Sequence, residues 1–176
     1  MNSTTGSSDP YLYPGTNVLK NVRGLTGAED LEQFEARCSH RRIAELIETP
    51  LSGAFDTTHL KRIHWHIFQD VCDWAGQFRT VNISKGGHLF GIAAFLEQAL
   101  QQTMARLAAD KFLIGLDAAE FADRAAYFIG ELNAAHPFRE GNGRTQREFI
   151  RELGLKAGHY IDWRSAAIET TIECRA

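Results

Sequence analysis

The stretch HPFREGNGRTQR, from His136 to Arg147, predicts where one helix ends and the next begins. Pro137 disfavours helical dihedrals at His136, so a preceding helix should end there. The Gly-Asn-Gly segment 141–143 can form a compact turn in which backbone N–H groups approach an anion. If a helix begins at about Gly143, its first N–H groups and the positive end of its dipole point to the same place. The stretch therefore predicts an anion site between two helices.

Charged and titratable side chains surround this turn. Arg144 and Arg147 are i,i+3 neighbours on the predicted helix, with Arg151 one turn further on, and guanidinium groups suit phosphate oxygens. Glu140 precedes the turn, where Mg²⁺ bridging phosphates would need a carboxylate. His136 can exchange a proton near neutral pH. Each feature alone is typical of an ordinary turn or a solvated helix face, but their order within one short segment favours a site for a nucleotide triphosphate.

This segment resembles the signature of the Fic family (Fic/Doc superfamily), HxFx(D/E)GNGRxxR, and every specified position matches. The segment GQFRTVNISKGGHLF, from Gly76 to Phe90, resembles the flap hairpin of that family. Three further segments, YPGTNVLKN (Tyr13–Asn21), LDAAEFADRAAYFIGELNAAHPF and AGHYIDW (Ala157–Trp163), resemble its FicT/VbhT toxin branch. The resemblance covers nearly the whole chain after residue 9.

The resemblance implies an all-α fold, the Fic helical bundle with a small β-hairpin flap over the active site. Apolar periodicity agrees, and it predicts helices over Ala28–Glu48, from Asp56 or Thr57 to about Ala75, over Ala93–Ala109, and after an N-cap at Asp117. The segment Phe78–Phe90 is the exception, because FRTVNIS favours β-structure and Gly86-Gly87 supplies a turn.

Composition indicates one compact soluble domain. The 176 residues carry a net charge of −3 and no long basic run, so nucleic-acid binding is not indicated. The polar opening MNSTTGSSDP contains no signal peptide, and no membrane-spanning run follows. We expect residues 1–9 to form a flexible tail and residues 10–176 to form a single Fic domain. The three cysteines lack metal-site spacing, which favours reduced thiols in the cytoplasm.

From the resemblance we expect transfer of AMP from ATP to a Tyr, Thr or Ser hydroxyl of a target protein. It implies that His136 is the catalytic base and that Glu140 binds Mg²⁺. It further implies an anion hole of Gly141, Asn142 with its side-chain amide, and Gly143, with Arg144 on the inner phosphates and Arg147 on the γ-phosphate. The flap residues expected to line the site and hold an extended target strand are Lys85, Gly86, Gly87, His88, Leu89 and Phe90.

Regulation is also implied by the resemblance. In this family an inhibitory helix with the pattern (S/T)xxxE(G/N) places a glutamate against the second arginine, which is Arg147 here. The chain has no full match, and Ser165–Thr170 (SAAIET) comes near but ends in threonine. We therefore expect inhibition by a separate small antitoxin that carries this helix. The chain also ends soon after Cys174, earlier than the resemblance leads us to expect, as if a C-terminal extension were missing.

The target expected by family analogy is a bacterial type II topoisomerase subunit, which places the protein in the bacterial cytoplasm. A secreted effector that acts on host proteins is the alternative. A Fic-fold transferase with another donor, UMP or phosphocholine, would keep the same motif, whereas a Doc-like phosphate-transferring kinase departs from the GNGR stretch. A non-catalytic interaction module is disfavoured by the intact His136, Glu140 and Arg147. His64 and His66 point apart at helical spacing, so they are not expected to bind a metal together.

Overall fold

A computed structural model describes residues 3–4 and 9–163 of the chain, and it confirms the predicted all-α fold with a small flap. The α-helices are α1 (Ala28–Glu48), α2 (Thr57–Phe68), α3 (Leu96–Ala109), α4 (Ala118–Ala135) and α5 (Asn142–Ala157). Short 3₁₀ helices occupy Ala93–Phe95 and Lys111–Leu113, and the strands are β1 (Ser3–Thr4), β2 (Ile83–Lys85) and β3 (His88–Leu89). No helix of the described residues combines the length and apolarity needed to cross a membrane. The segment Ser165–Thr170 lies outside the described residues.

The helices α2, α4 and α5 share one hydrophobic core, with α1 packed against α2 and α3 against α4. The buried side chains at its centre are Leu60, Ile63, Ile67, Phe68, Phe128, Leu132, Phe149, Ile150 and Leu153. Because α4 and α5 both pack into this core, the end of α4 and the start of α5 are held close together. The loop between them is therefore anchored at both ends.

The predicted N-caps are confirmed. Asp117 accepts hydrogen bonds from the backbone N–H groups of Ala119 and Glu120, each at 2.9 Å, and the Glu120 carboxylate accepts the Asp117 N–H at 3.2 Å. This reciprocal capping box begins α4. Asp56 likewise caps α2 by accepting the His59 N–H at 2.8 Å.

The helix α2 ends at Phe68, earlier than the predicted boundary at about Ala75. The chain folds back after Phe68, and Gly76 takes a φ of +77° where a Cβ would lie 2.9 Å from Cβ of Trp65. Val71 belongs to a second, smaller apolar cluster against α1. Cys72 and Ala75 remain in the main core, and Trp74 packs against it, so the segment after Phe68 contributes to both clusters without being helical.

The predicted hairpin is present. Gly86 and Gly87 have φ values of 58° and 83°, and such a pair of positive values is what a tight two-residue hairpin turn requires. Ser84 pairs with Leu89 across the antiparallel strands. The strand β1 pairs antiparallel with β2 on the other side, which gives the strand order β1-β2-β3.

Asp9 is bound to Arg139 in the packed part of the chain. Its carboxylate accepts hydrogen bonds from Nε and from a terminal nitrogen of Arg139, both at 2.8 Å. The two side chains are only 1% and 5% exposed, so each charge is compensated by the other away from water. Asp9 therefore belongs to the packed domain, because the buried Arg139 guanidinium needs an anion. The strand β1, within the same predicted tail, is paired with the hairpin.

We predict that Asp9→Ala destabilises the fold by about 3–5 kcal/mol, because it leaves the Arg139 charge buried without its partner. Chemical denaturation monitored by circular dichroism measures the free energy of unfolding. The control is Asp117→Ala, which removes an exposed cap and should cost about 1 kcal/mol. Equal losses for the two variants would contradict a structural role for the Asp9 ion pair.

Candidate active site

His136 lies at the C-cap of α4 in a left-handed conformation, with φ 47° and ψ 61°. The helix ends at Ala135, as predicted from Pro137, but the extended conformation that a following proline favours is not the one observed. The His136 N–H still donates to the Leu132 carbonyl at 2.9 Å. A left-handed residue other than glycine is uncommon, and such strain is concentrated at functional sites. His136 is one of five non-glycine residues with a positive φ in the described part of the chain, and it is the one that lies in the sequence motif.

The flap lies next to this histidine. The Phe90 ring stacks on the His136 imidazole with a centroid distance of 3.9 Å and an interplanar angle of 14°. Lys85, at the other strand of the hairpin, is close enough for its charge to act on His136. Gly86, Gly87, His88 and Leu89 form the exposed end of the hairpin. The structure therefore brings the predicted flap segment and the predicted base together.

Burial lowers the pKa of His136 to about 4. The positive charges of Arg79 and Lys85 act in the same direction, while the Asn133 backbone and the Glu140 carboxylate oppose them. His136 is therefore uncharged at neutral pH and able to accept a proton. Bound phosphates would add negative charge nearby and would raise this pKa, which would strengthen the base.

The loop before α5 presents backbone N–H groups as predicted. Gly141 is the N-cap with a φ of 80°, and Thr145 makes the first intrahelical bond, from its N–H to the Gly141 carbonyl at 3.1 Å. The N–H groups of residues 142–144 precede that bond and lie at the positive end of the helix dipole. Such a helix N-terminus can bind phosphate oxygens.

The Asn142 side chain holds the loop before α5 together. We expected its amide to contribute to the anion hole, but its Nδ2 donates to the Phe138 carbonyl at 2.7 Å and its Oδ1 accepts the Phe138 N–H at 2.8 Å. The side chain is buried, and both of its polar atoms hold the loop together. The backbone N–H of Asn142 lies at the start of α5, and Nδ2 has a second N–H besides the one donated to Phe138.

Glu140 stabilises the loop before α5, and its carboxylate is also the candidate ligand for Mg²⁺. Its Oε1 accepts the Gly141 N–H at 3.0 Å, and its backbone carbonyl lies 3.0 Å from Nε2 of His64. The described residues contain no cluster of three or more His, Cys, Asp or Glu that could hold a metal ion. A single carboxylate nevertheless fits Mg²⁺, which proteins often bind through one or two carboxylates together with substrate phosphates.

His64 is a supporting residue that the sequence did not reveal. Its Nδ1 accepts the Gly76 N–H at 2.8 Å, and its ring stacks on Phe138 at a centroid distance of 3.8 Å. Burial lowers the pKa of His64 to about 3, so it is uncharged and its Nε2–H can donate to the Glu140 carbonyl.

Arg144 is bound to α1. Its terminal nitrogens donate to Glu35 Oε1 at 2.5 Å and to Ser39 Oγ at 2.9 Å, and its guanidinium lies 4.6 Å from the centre of the Phe68 ring. Glu35 and Ser39 are one turn apart on α1, and sequence reasoning missed both. Arg144 has five N–H donors, so it retains donors for a phosphate, but Glu35 offsets its charge.

Arg147 and Arg151 point to different surroundings. Arg147 is exposed, and no carboxylate within residues 9–163 forms an ion pair with it. Arg151 was expected on the same face, but it is buried, where it pairs with Glu148 and donates to the Leu46 carbonyl. Arg147 is therefore the arginine of this helix whose charge remains available to a ligand.

We predict that Gly141→Ala destabilises the protein, because a Cβ there would lie 2.2 Å from Cζ of Phe68 in a left-handed backbone. Overpacking alone should cost about 1–3 kcal/mol. Thermal and chemical unfolding measure the loss. The matched control is Gly143→Ala, whose Cβ would meet only the Arg147 side chain, at 3.4 Å. It should be at least as stable as the wild type because alanine favours helix. An undiminished stability of Gly141→Ala would contradict this packing.

Comparison with known proteins identifies relatives of this chain. The profile of the Fic/DOC family matches residues 54–153. Protein adenylyltransferase VbhT of Bartonella schoenbuchensis is 47% identical over 163 residues, which cover 93% of this chain and 34% of that protein. The probable protein adenylyltransferase Fic of Salmonella typhimurium is 39% identical over 162 residues, which cover 92% of this chain and 80% of that protein. The chain thus spans about a third of VbhT and most of the Salmonella protein.

Solved structures show the same fold. BepC from Bartonella tribocorum, with bound AMPPNP, is 32% identical and superposes with a TM-score of 0.83 over 88% of this chain and 81% of that chain. An N-terminal Fic domain from Bartonella quintana, with bound ADP, is 33% identical with a TM-score of 0.83 over 88% and 79% of the two chains. Both proteins are described as VirB-translocated effectors. Adenine nucleotides are therefore bound by structural relatives of this chain.

Proposed function

Because the chain belongs to the Fic/DOC family, as its signature predicted, we propose that it is a protein adenylyltransferase, which transfers AMP from ATP to a hydroxyl group of a target protein. The observation that carries the proposal is the position of an uncharged His136 between the flap and the N-terminus of α5. Relatives at 37–47% identity are named protein adenylyltransferases, and two structural relatives hold an ATP analogue or ADP. The enzyme class predicted from the sequence is the class of these relatives.

His136 acts as the base in the proposed reaction. A ring nitrogen accepts the proton of the target hydroxyl, and the oxygen forms a bond to the α-phosphorus of ATP. The bond between the α-phosphorus and the pyrophosphate oxygen breaks, and pyrophosphate leaves with that electron pair. Proton transfer by a positioned histidine and in-line positioning of the two oxygens provide the catalysis.

The phosphates are bound by α5 and its loop. The backbone N–H groups of residues 142–144 donate to phosphate oxygens, Arg144 adds its remaining donors, and Arg147 binds the γ-phosphate. Glu140 would hold Mg²⁺, which neutralises charge on the phosphate oxygens when it is bound. The flap segment 85–90 holds an extended stretch of the target by backbone hydrogen bonds, which brings its hydroxyl to His136.

We predict that bacterial lysate supplied with this protein, Mg²⁺ and ATP gains protein-bound label from the α-phosphorus and none from the γ-phosphorus. His136→Ala should abolish labelling and leave ATP affinity nearly unchanged, because the imidazole contributes the proton transfer and not the phosphate contacts. The matched control is His40→Ala, an exposed histidine on α1, which should label like the wild type. The assay reads label by gel and ATP affinity by calorimetry.

Other outcomes would overturn parts of the proposal. Label from the γ-phosphorus would indicate a reversed, kinase-like binding mode. Label only with UTP or a phosphocholine donor would retain the fold and the base but replace AMP as the transferred group. Full activity of His136→Ala would exclude this histidine as the base.

The toxin role is a further part of the proposal. The target is a bacterial type II topoisomerase subunit, and the protein is restrained by a small antitoxin that carries the (S/T)xxxE(G/N) helix. The free charge of Arg147 supports such an inhibitor, because a glutamate from a partner would form a charge-assisted bond there. That bond would occupy the position of the γ-phosphate, so ATP could not bind productively.

We predict that a helical peptide with this pattern inhibits AMP transfer in competition with ATP. A matched peptide with glutamine in place of its glutamate should inhibit much less, because the ion pair with Arg147 is lost. Inhibition constants measured at several ATP concentrations decide between competitive and unrelated effects. Equal inhibition by the two peptides would contradict the Arg147 contact. Arg147→Ala binding both peptides equally would support it.

A further inference from the structure

Arg79 is a buried arginine without a carboxylate partner among the described residues. Its side chain is 2% exposed, and its hydrogen-bond acceptors are backbone carbonyls. Burial lowers the pKa of Arg79 to about 10, so the guanidinium stays charged at neutral pH. A buried charge is costly unless it is well hydrogen-bonded, and stability alone is often served as well by an apolar residue. Stability alone therefore does not explain why an arginine is buried at this position.

The four carbonyls come from two parts of the active site. Arg79 donates to the Val81 carbonyl at 2.6 Å and to the Gly91 carbonyl, and these residues stand at the two ends of the flap hairpin. It also donates to Ala135 at 3.1 Å and to His136 at 2.8 Å, at the end of α4. One guanidinium therefore joins both legs of the flap to the backbone of the catalytic histidine.

Backbone bonds reinforce the same junction. The Arg79 N–H donates to the Pro137 carbonyl at 2.9 Å, and the Gly91 N–H donates to the Ala134 carbonyl at 2.9 Å. The last carbonyls of a helix carry partial negative charge and lack intrahelical donors, so a cation is favourable there. The planar fork of arginine can reach four acceptors in fixed directions, whereas the ammonium of lysine is a single point with three donors.

We propose that Arg79 is a positioning residue that sets the flap, and with it the acceptor hydroxyl of a docked target strand, at a fixed place relative to His136. This inference deepens the proposed function and rests on it. The residue touches neither the phosphates nor the target. Its effect reaches the reaction through the left-handed backbone of His136 on one side and through the two flap legs on the other.

Arg79 also influences the base electrostatically. The charged groups that face His136 are Arg79 and Lys85 of the flap segment and Glu140 of the loop before α5, and the Phe90 ring covers the imidazole. Arg79 and Lys85 lower the pKa of His136, whereas Glu140 raises it. Removal of the Arg79 charge should therefore shift the pKa of His136 upward from about 4, towards 6.5.

Two substitutions distinguish the planar geometry of the Arg79 guanidinium from its positive charge. Arg79→Lys keeps the charge and removes the planar fork, and Arg79→Gln removes both. At saturating ATP we expect Arg79→Lys to lower the initial rate of AMP transfer into lysate protein by on the order of 100-fold, the cost of displacing a reacting group by about 1 Å. ATP affinity should change little, because the phosphate contacts are on α5. In an NMR titration of the His136 imidazole, Arg79→Gln should raise the pKa and Arg79→Lys should not.

Two controls distinguish positioning from a loss of fold. Arg151→Lys changes another buried arginine, which pairs with Glu148 away from the flap, and it should lower stability without moving the His136 titration. Gly91→Ala disturbs the same junction from the flap side without changing Arg79, because its Cβ would lie 3.1 Å from the Ala135 carbonyl. It should lower transfer, keep ATP affinity and leave the His136 pKa in place.

The outcomes test the proposed function and the positioning role of Arg79 separately. If the wild type transfers no AMP, the proposed function fails, while the NMR titration still tests the link between Arg79 and His136. If the wild type is active and both Arg79→Lys and Gly91→Ala transfer at its rate, the positioning role is excluded. An unchanged His136 pKa in Arg79→Gln would exclude the electrostatic link between Arg79 and His136. If Arg151→Lys lost as much activity as Arg79→Lys, the loss in Arg79→Lys would be explained by general stability.

Discussion

The close approach of the Phe68 ring to Gly141 is the contact on which the site depends. A side chain at residue 141 would occupy the space of the ring, so the chain can pass over α2 only as glycine and only in a left-handed conformation. The Asn142 side chain closes the loop on Phe138, and His64 holds the Glu140 carbonyl. The anion-binding geometry is therefore a consequence of core packing on α2, and the backbone is arranged before any ligand arrives.

Charge compensation leaves one arginine around the site with its charge available to a ligand. Arg139 is balanced by Asp9, Arg144 by Glu35 and Arg151 by Glu148, and Arg79 is surrounded by carbonyl dipoles. Arg147 has no such partner within residues 9–163. In a chain with a net charge of −3, attraction for a polyanion must be local, and it comes from this guanidinium and from the helix dipole. In the proposed function, the electrostatics would therefore concentrate recognition at the outer end of the phosphate chain.

The sequence predicted what local rules determine. The caps at Asp56 and Asp117, the glycine turn of the hairpin and the helix end before Pro137 all follow from residues within one or two turns of each other. The order of side chains from His136 to Arg147 likewise indicated the anion site. The partners that hold the site could not be predicted, because Asp9 is 130 residues from Arg139, Glu35 is 109 from Arg144 and Arg79 is 57 from His136. A single sequence carries no periodicity that links such distances. The contacts of the Asn142 side chain could not be predicted for a related reason, since its polar atoms bind a buried loop that only the folded chain creates.

The length of the sheet edges determines how a target can be recognised. Among the described residues, the strand β2 is flanked by β1 and β3, and β3 spans two residues. A strand added to so short an edge gains few backbone hydrogen bonds, each worth about 0.5–1.5 kcal/mol net. If a target docks at the flap as proposed, its binding there alone would be weak and largely indifferent to sequence. Proteins that offer an extended, exposed segment with a hydroxyl would be sampled and released quickly, and discrimination among them would depend on surfaces outside the flap. In the proposed function, such a flap would favour many brief encounters, and selectivity could change without any change in the catalytic loop.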